Sequence, residues 1–197
     1  GPAPGRVTSN GPYRAGKGTL YEGGVRVAAL AAWEGRLQPG TVINEPLHMV
    51  DWRPTLLKLA RVAVEHKLPL DGRDAWPTIA AGKPSPHDEI VLNAAPTSGA
   101  ILVGRWKLVM RGGAGAGEEP QAEAKPHGKR AKARSEPAEL FDLAADPYEK
   151  ENLAEKHPER VQELRVRYEK WARQAAPPKN APKAPGFQSP KVWGEGE

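Results

Sequence analysis

The apolar residues follow two different spacings in the first half of the chain. Residues 25–33 are almost continuously apolar, which is typical of a mostly buried strand. In residues 51–65 the apolar positions instead recur three and four apart, which predicts a helix with Asp51 as its N-cap. A second, short helix is predicted over residues 74–81 and ends at Gly82. The expected buried stripe of the first helix consists of Leu56, Leu59, Ala60 and Ala63.

Short strands dominate the pattern of the second half. Residues 89–93 and 100–110 are predicted strands, and the second is interrupted at Gly104, which indicates a hairpin. Another short strand is predicted over residues 139–143, and residues 158–174 have the spacing of an amphipathic helix. The apolar stripe of that helix contains Val161, Leu164, Tyr168 and Trp171. The order of these elements predicts an α+β fold.

Composition divides the chain further. Residues 111–137 contain no Val, Leu, Ile, Phe, Tyr or Trp, and residues 175–197 are rich in proline. Such segments bury too little apolar surface to offset the entropy of ordering, so both are expected to be mobile. We therefore predict a first unit over residues 1–88, a smaller second unit over residues 89–174 with the insert 111–137, and a Pro-rich tail.

Several classes of protein are excluded by residue content. The chain has no Cys, which excludes disulfides, thiolate zinc sites and a cysteine nucleophile. Its longest apolar run is far shorter than the ~20 residues that span a bilayer. The first residues include neither Met nor an apolar signal segment, so we expect the native polypeptide to extend upstream of Gly1.

The net charge of +5 at pH 7 is a mild basic excess. Part of it is a basic run over residues 125–134 that has no interleaved aromatic residue, so a solvated loop is favoured over a nucleic-acid site. We therefore predict neither a nucleic-acid partner nor a membrane partner. The alternative interpretation is a non-catalytic basic module that binds acidic glycans or a partner chain.

The strongest candidate for chemistry is Lys17. It lies between Gly16 and Gly18, where the backbone can approach an anion closely, and its ammonium group suits sulfate or phosphate oxygens. Three charged residues lie nearby in sequence, and we expect them to orient or neutralise Lys17: Arg14, Glu22 and Arg26. On the residues alone, a solvated loop lysine is the competing interpretation.

The glycine-rich segment resembles a family signature. Residues 9–27 read SNGPYRAGKGTLYEGGVRV, and this run strongly resembles a motif of the sulfatase family. Further similar stretches follow in family order at residues 33–40, 50–56, 70–74, 104–108 and 139–149. The resemblance covers most of the chain outside residues 111–137.

This resemblance implies a type I sulfatase of the alkaline-phosphatase-like superfamily, an enzyme that hydrolyses sulfuric esters. It implies that the chain forms the end of the α/β domain, followed by a small antiparallel sheet and a C-terminal helix. By the same resemblance Lys17 contacts the sulfate, while a formylglycine nucleophile and a calcium ion complete the family's site. Family members are mostly periplasmic, extracellular or lysosomal.

The departures from the family pattern are specific. Formylglycine is made from a C/S-x-P-x-R motif, and the nearest candidate, which begins at Ser135, has Glu139 where Arg is required. The family's metal-binding aspartates and catalytic histidines also match nothing in this chain. We therefore predict the C-terminal portion of an arylsulfatase, inactive alone, whose partners are a sulfate ester and the N-terminal part of the same protein.

Overall fold

A computed structural model describes residues 9–63, 68–93, 99–110 and 138–175 of the chain. The insert predicted over residues 111–137 lies outside these described residues. The same holds for the tail from residue 176 onward.

The second half forms one antiparallel sheet. Its strands are β1 (Ile90–Leu92), β2 (Gly99–Val103), β3 (Trp106–Met110) and β4 (Glu139–Asp142), and each pairs with the next in sequence. Gly104 begins the two-residue turn between β2 and β3 with φ of 57°, a left-handed conformation that glycine adopts without steric cost. The predicted hairpin is therefore confirmed, as are the strands on either side of it.

One face of the sheet packs on the C-terminal helix, α4 (Pro158–Ala172). The core on this face contains the side chains of Ile101, Leu108 and Leu140, which are fully buried. Leu164 and Tyr168 of α4 complete it, as the helical stripe predicts. Trp171, which the same stripe placed inward, is 42% exposed and donates a hydrogen bond to Glu89 at 2.6 Å.

The opposite face of the sheet packs on the glycine-rich segment. Ala100, Val109 and Phe141 point to this side and form a second core cluster with Tyr21. Tyr21 directly precedes α1 (Glu22–Val25), a single helical turn. The sheet thus lies between α4 and the segment that contains Lys17.

Three further short helical elements lie in the first half, separated by loops. They are a 3₁₀ turn (Met49–Asp51), α2 (Trp52–Leu59) and α3 (Trp76–Ala81). The helix α3 ends at Gly82, whose φ is 60°, so the prediction of a glycine C-cap is confirmed. No helix in the described part of the chain has the length and apolar character required to cross a membrane.

Two predictions for the first half are wrong. Residues 26–33 belong to no helix or strand, and Val27 and Leu30 are 66% and 97% exposed. An apolar run forms a buried strand only beside a sheet, and the sheet of the described residues is formed by other segments. The helix α2 ends at Leu59 rather than near residue 65, and Leu56 of its predicted stripe is 55% exposed.

Candidate functional site: the Lys17 turn

Lys17 occupies the tip of a tight turn. The backbone N–H of Thr19 donates to the carbonyl of Gly16 at 3.1 Å, and the Thr19 hydroxyl donates to the same oxygen at 2.8 Å. Gly18 has φ of 91°, which places it at the turn position that requires a left-handed residue. Gly16 is buried and Lys17 is exposed, so the ammonium group lies in solvent while the start of the turn is held inside the protein.

The base of the turn lies directly on α1. An added Cβ at Gly23 would stand 2.3 Å from the carbonyl oxygens of Arg14 and Ala15. One at Gly24 would stand 2.3 Å from the carbonyl oxygen of Thr19. Because these neighbours are backbone atoms, any side chain at either position would displace the turn. The two glycines therefore let the segment fold back on itself.

A buried group of three charges joins α1 to the sheet. The Lys107 ammonium, fully buried on β3, lies 2.8 Å from Glu22 Oε1 and 2.8 Å from Glu149 Oε1. Glu149 Oε2 also accepts a hydrogen bond from the backbone N–H of Glu22 at 2.6 Å. We call these three residues the charge cluster. Burial raises the pKa of the Glu149 carboxyl above its ordinary value, although the Lys107 charge opposes that shift.

Arg14 provides a second connection between the turn and the sheet. Its guanidinium donates to Glu139 Oε1 at 3.2 Å and to the Glu149 carbonyl at 3.3 Å. It also stacks over the Tyr21 ring, 3.9 Å from the centroid, while the Tyr21 hydroxyl donates to Glu139. The Lys17 turn is thus held from its N-terminal side by Arg14 and from its C-terminal side by the charge cluster.

The expected role of the neighbouring charges is therefore corrected. Arg14, Glu22 and Arg26 do not surround Lys17: Arg14 and Glu22 bind the sheet and the residues after it, and Arg26 pairs with Glu22 at 3.4 Å. In the part of the chain that the structure describes, Lys17 forms no hydrogen bond or ion pair.

Sequence reasoning missed Lys107 and Glu149. The available signal was a lysine in the middle of an apolar strand, between Trp106 and Leu108. A lysine is almost never fully buried unless it is paired, so such a position calls for a carboxylate partner. Nothing in the sequence indicates that the partners come from residues so far away in both directions.

Another buried carboxylate, that of Asp51, organises the first half. Asp51 is 2% exposed and accepts hydrogen bonds from the backbone N–H groups of His48 at 2.8 Å and Arg73 at 2.9 Å. His87 Nε2 lies 2.8 Å from Asp51 Oδ1, so this nitrogen holds the proton that faces the carboxylate. The Thr55 hydroxyl extends the network, because it donates a hydrogen bond to the Asp51 carbonyl at 2.6 Å and accepts one from the backbone N–H of Ala75 at 2.9 Å.

The residues described do not fit the calcium ion or the formylglycine of the sulfatase family. No group of three or more His, Asp or Glu side chains that could hold a metal ion occurs among them. The carboxylates that join the Lys17 turn to the sheet, Glu22, Glu139 and Glu149, are paired with Lys107 or Arg14. A formylglycine precursor of the C/S-x-P-x-R form is absent from the whole sequence.

No family model matches the chain. Arylsulfatase J of Mus musculus is 32% identical over 218 residues, which cover 94% of this chain and 36% of that protein. The N-acetylgalactosamine-6-O-sulfatase of Bacteroides thetaiotaomicron is 28% identical over 80% of this chain and 29% of its own length. The chain belongs to the sulfatase family. It spans about a third of the length of these curated relatives.

The fold of this sulfatase-family chain is similar to solved structures as well. The crystal structure of Ps i-CgsB in complex with k-i-k-neocarrahexaose superposes with a TM-score of 0.64 at 25% identity. The match covers 83% of this chain and 32% of that one. The family resemblance and the alkaline-phosphatase-like fold, with helices and a small antiparallel sheet, are thereby confirmed.

Proposed function

We propose that this chain is the C-terminal portion of a sulfatase that hydrolyses sulfate esters, with Lys17 contacting the sulfate group. The observation that supports the proposal is an exposed ammonium, with no ion pair among the described residues, on a turn that is fixed to the sheet through Arg14 and the charge cluster. This rigid attachment of the turn favours catalysis, because a charge that is already in position does not have to reorganise during the reaction.

The chemistry assigned to Lys17 follows from the charge of the reacting group. A sulfate ester has anionic oxygens that remain charged while the sulfur is attacked, so a nearby cation lowers the energy of the transition state. Lysine supplies a compact charge with three donors. The nucleophile and the metal ligands are, in this proposal, contributed by another part of the polypeptide.

The exposed apolar surface of the first half supports the proposal that two parts of the polypeptide together form the site. Val27, Leu30 and Val42 are 66%, 97% and 77% exposed, which is unusual for large apolar residues close together in sequence. We propose that the part of the protein with the nucleophile and the metal ligands covers this surface.

Sulfated carbohydrates are the proposed substrate class. The support is the named activity of the Bacteroides relative, an N-acetylgalactosamine-6-O-sulfatase, together with the oligosaccharide bound to the structural relative. Export from the cytoplasm or delivery to the lysosome is the corresponding proposal for its location. Neither a nucleic acid nor a membrane is part of the proposed function.

The first test reads the coding sequence upstream of Gly1. We expect an in-frame C/S-x-P-x-R motif and an Asp-Asn pair shortly before Gly1, and their absence would overturn the proposal. The purified chain of 197 residues should release no sulfate from an aryl sulfate above the level of its Lys17→Ala variant.

The second test measures aryl sulfate hydrolysis by the full polypeptide. Replacing Lys17 with Ala should lower kcat about 10²–10³-fold, the usual cost of removing one group that stabilises developing charge. Lys83→Ala is the matched control, because Lys83 is also an exposed lysine beside a left-handed glycine, Gly82. Equal rates for the two variants would exclude a role for Lys17.

A further inference from the structure

A cleft of about 510 Å³ lies between the loop that follows residue 32, the end of α2 and the start of α3. This volume is within the range of ~300–1,000 Å³ that is usual for small-molecule sites. The residues that line it are Trp33, Arg36, Lys58, Leu59, Arg61, Asp74, Trp76 and Pro77. None of them belongs to the Lys17 turn, the charge cluster or the Asp51 network.

Two indole rings form the apolar part of the cleft. The ring centroids of Trp33 and Trp76 are 5.5 Å apart, with an angle of 59° between the ring planes. Trp33 is nevertheless 44% exposed, so the contact between the rings leaves much of its surface open. Indole rings offer a rigid apolar face to the C–H groups of a sugar ring together with an N–H that can donate.

Positive charge surrounds these rings. Lys58 forms an ion pair with Asp74 at 2.6 Å, so the charges of these two side chains neutralise each other. Arg36 and Arg61 remain, and neither forms an ion pair within the described residues. The Arg36 guanidinium lies 5.2 Å from the Trp33 centroid, so one of the free charges directly adjoins the apolar surface.

We propose that this cleft binds a sulfated oligosaccharide. The pyranose rings would pack on Trp33 and Trp76, and the sulfate groups would accept hydrogen bonds from Arg36 and Arg61, whose planar guanidinium groups match oxyanions. Stacking of a nucleobase on one indole ring is the competing interaction, and the test therefore includes a single-stranded oligonucleotide. The site requires no turnover, so it does not depend on the proposed hydrolysis.

The test is calorimetric titration of the full 197-residue chain with a heparin-derived hexasaccharide. The double variant Arg36→Gln, Arg61→Gln should weaken binding at least about tenfold, because two charge-assisted contacts are lost. Both side chains are exposed and unpaired among the described residues, so the variant should keep the circular dichroism spectrum of the parent. Trp33→Ala should weaken binding to a similar extent.

The matched control removes two positive charges from another surface. The variant Lys170→Gln, Arg173→Gln at the end of α4 should stay within about twofold of the parent, since both residues are exposed and lie outside the cleft. A further variant replaces the basic run with Gln and should likewise bind. Its changes are at Lys125, Lys129, Arg130, Lys132 and Arg134.

Each of the following results would overturn the proposal. The first is equal weakening in the cleft and α4 variants, which would indicate nonspecific charge attraction. The second is loss of binding only when the basic run is replaced, or no binding by the parent chain. The third is equal affinity for the desulfated hexasaccharide, or tighter binding of a single-stranded oligonucleotide that depends on the same two arginines.

Discussion

Residues 90–172 and residues 26–88 differ in what they bury. The first region buries Ile101, Leu108 and Leu164 completely, with the sheet placed between two layers. The second region buries Asp51, Thr55 and Thr78, and hydrogen bonds to the side chains of Asp51 and Thr55 connect α2 to the residues that precede α3. Of the large apolar side chains that the structure describes as exposed, all but Val166 and Trp171 lie between Val27 and Leu68.

This difference shows which parts of the fold are stabilised within the chain. A sheet covered on both faces removes its apolar side chains from water and gains about 25 cal/mol per Å² of buried apolar surface. A region with an outward apolar surface lacks that gain and depends on a few satisfied polar groups. The Lys17 turn is attached to the first kind of region, although it directly precedes the second.

The largest effect is expected from Lys107→Met. Removing the cation leaves Glu149 without an ion-pair partner among the described residues and Glu22 with only Arg26, so the free energy of unfolding should fall by about 3–5 kcal/mol. Urea denaturation measures the loss. Adding Glu149→Gln should recover part of it, because one uncompensated charge is then removed. A loss below 1 kcal/mol would show that the charge cluster does not hold the turn to the sheet.

Leu164→Ala should be nearly as severe. The side chain is fully buried between α4 and the sheet, and such truncations cost about 2–5 kcal/mol. The matched control is Leu30→Ala, since Leu30 is 97% exposed and its truncation should change the stability of this chain by less than about 0.5 kcal/mol. Similar losses for the two leucines in thermal denaturation would contradict the contrast between the regions.

Asp51→Ala tests whether the first half depends on its polar network. The backbone N–H groups of His48 and Arg73 and the ring of His87 would lose their common acceptor. We expect a loss of about 2–3 kcal/mol, measured by denaturation. The control is Asp88→Ala, because the Asp88 side chain is 90% exposed and its contact with Arg73 is 3.9 Å long. If both variants were equally stable, the network would be incidental.

Gly23→Ala should loosen the Lys17 turn. The new methyl group would meet backbone oxygens of Arg14 and Ala15 at 2.3 Å, and overpacking of this kind costs about 1–3 kcal/mol. Hydrogen exchange should accelerate at the amides of residues 13–25. Gly11→Ala is the control, since its nearest neighbour is the movable Ser9 hydroxyl at 3.3 Å. Equal exchange in the two variants would refute the tight contact between turn and α1.

The smallest effect concerns pH. Because burial raises the pKa of Glu149 above 4.5, the folded state binds a proton that the unfolded chain has already lost. The free energy of unfolding should therefore fall as pH rises from 4.5 through that higher pKa, and Glu149→Gln should lack this decline. Urea titrations across that range test it, with Glu151→Gln as the exposed control. A decline that persists in Glu149→Gln would assign it to another group.

Asp142 cannot produce the same signal. Its hydrogen bond from Arg105 lowers the pKa of its carboxyl below 3.8 despite partial burial. That stabilisation is present above pH 3.8 and is lost as the pH falls through the lowered value. The two carboxyl groups therefore affect stability in separate pH ranges and with opposite slopes.

The local elements could be predicted because their causes are local. The hairpin follows from two short apolar runs that are interrupted at Gly104, and the end of α3 follows from Gly82. The burial of Leu164 and Tyr168 follows from helical spacing. The same reasoning was wrong for residues 26–33 and for Leu56, because an apolar pattern predicts that a side chain will be covered but not by which segment.

The candidate site likewise has one part that the sequence predicted and one part that it did not. By itself, the sequence determined that Lys17 stands on a tight glycine turn, since only the backbone freedom of Gly16 and Gly18 was needed. Only the tertiary structure decided that Lys107 and Glu149 meet Glu22, because residues far apart in the chain pair only after the sheet has formed. The chemistry of a side chain can thus be predicted from the local sequence, whereas the partner of a buried charge depends on the packing of the whole fold.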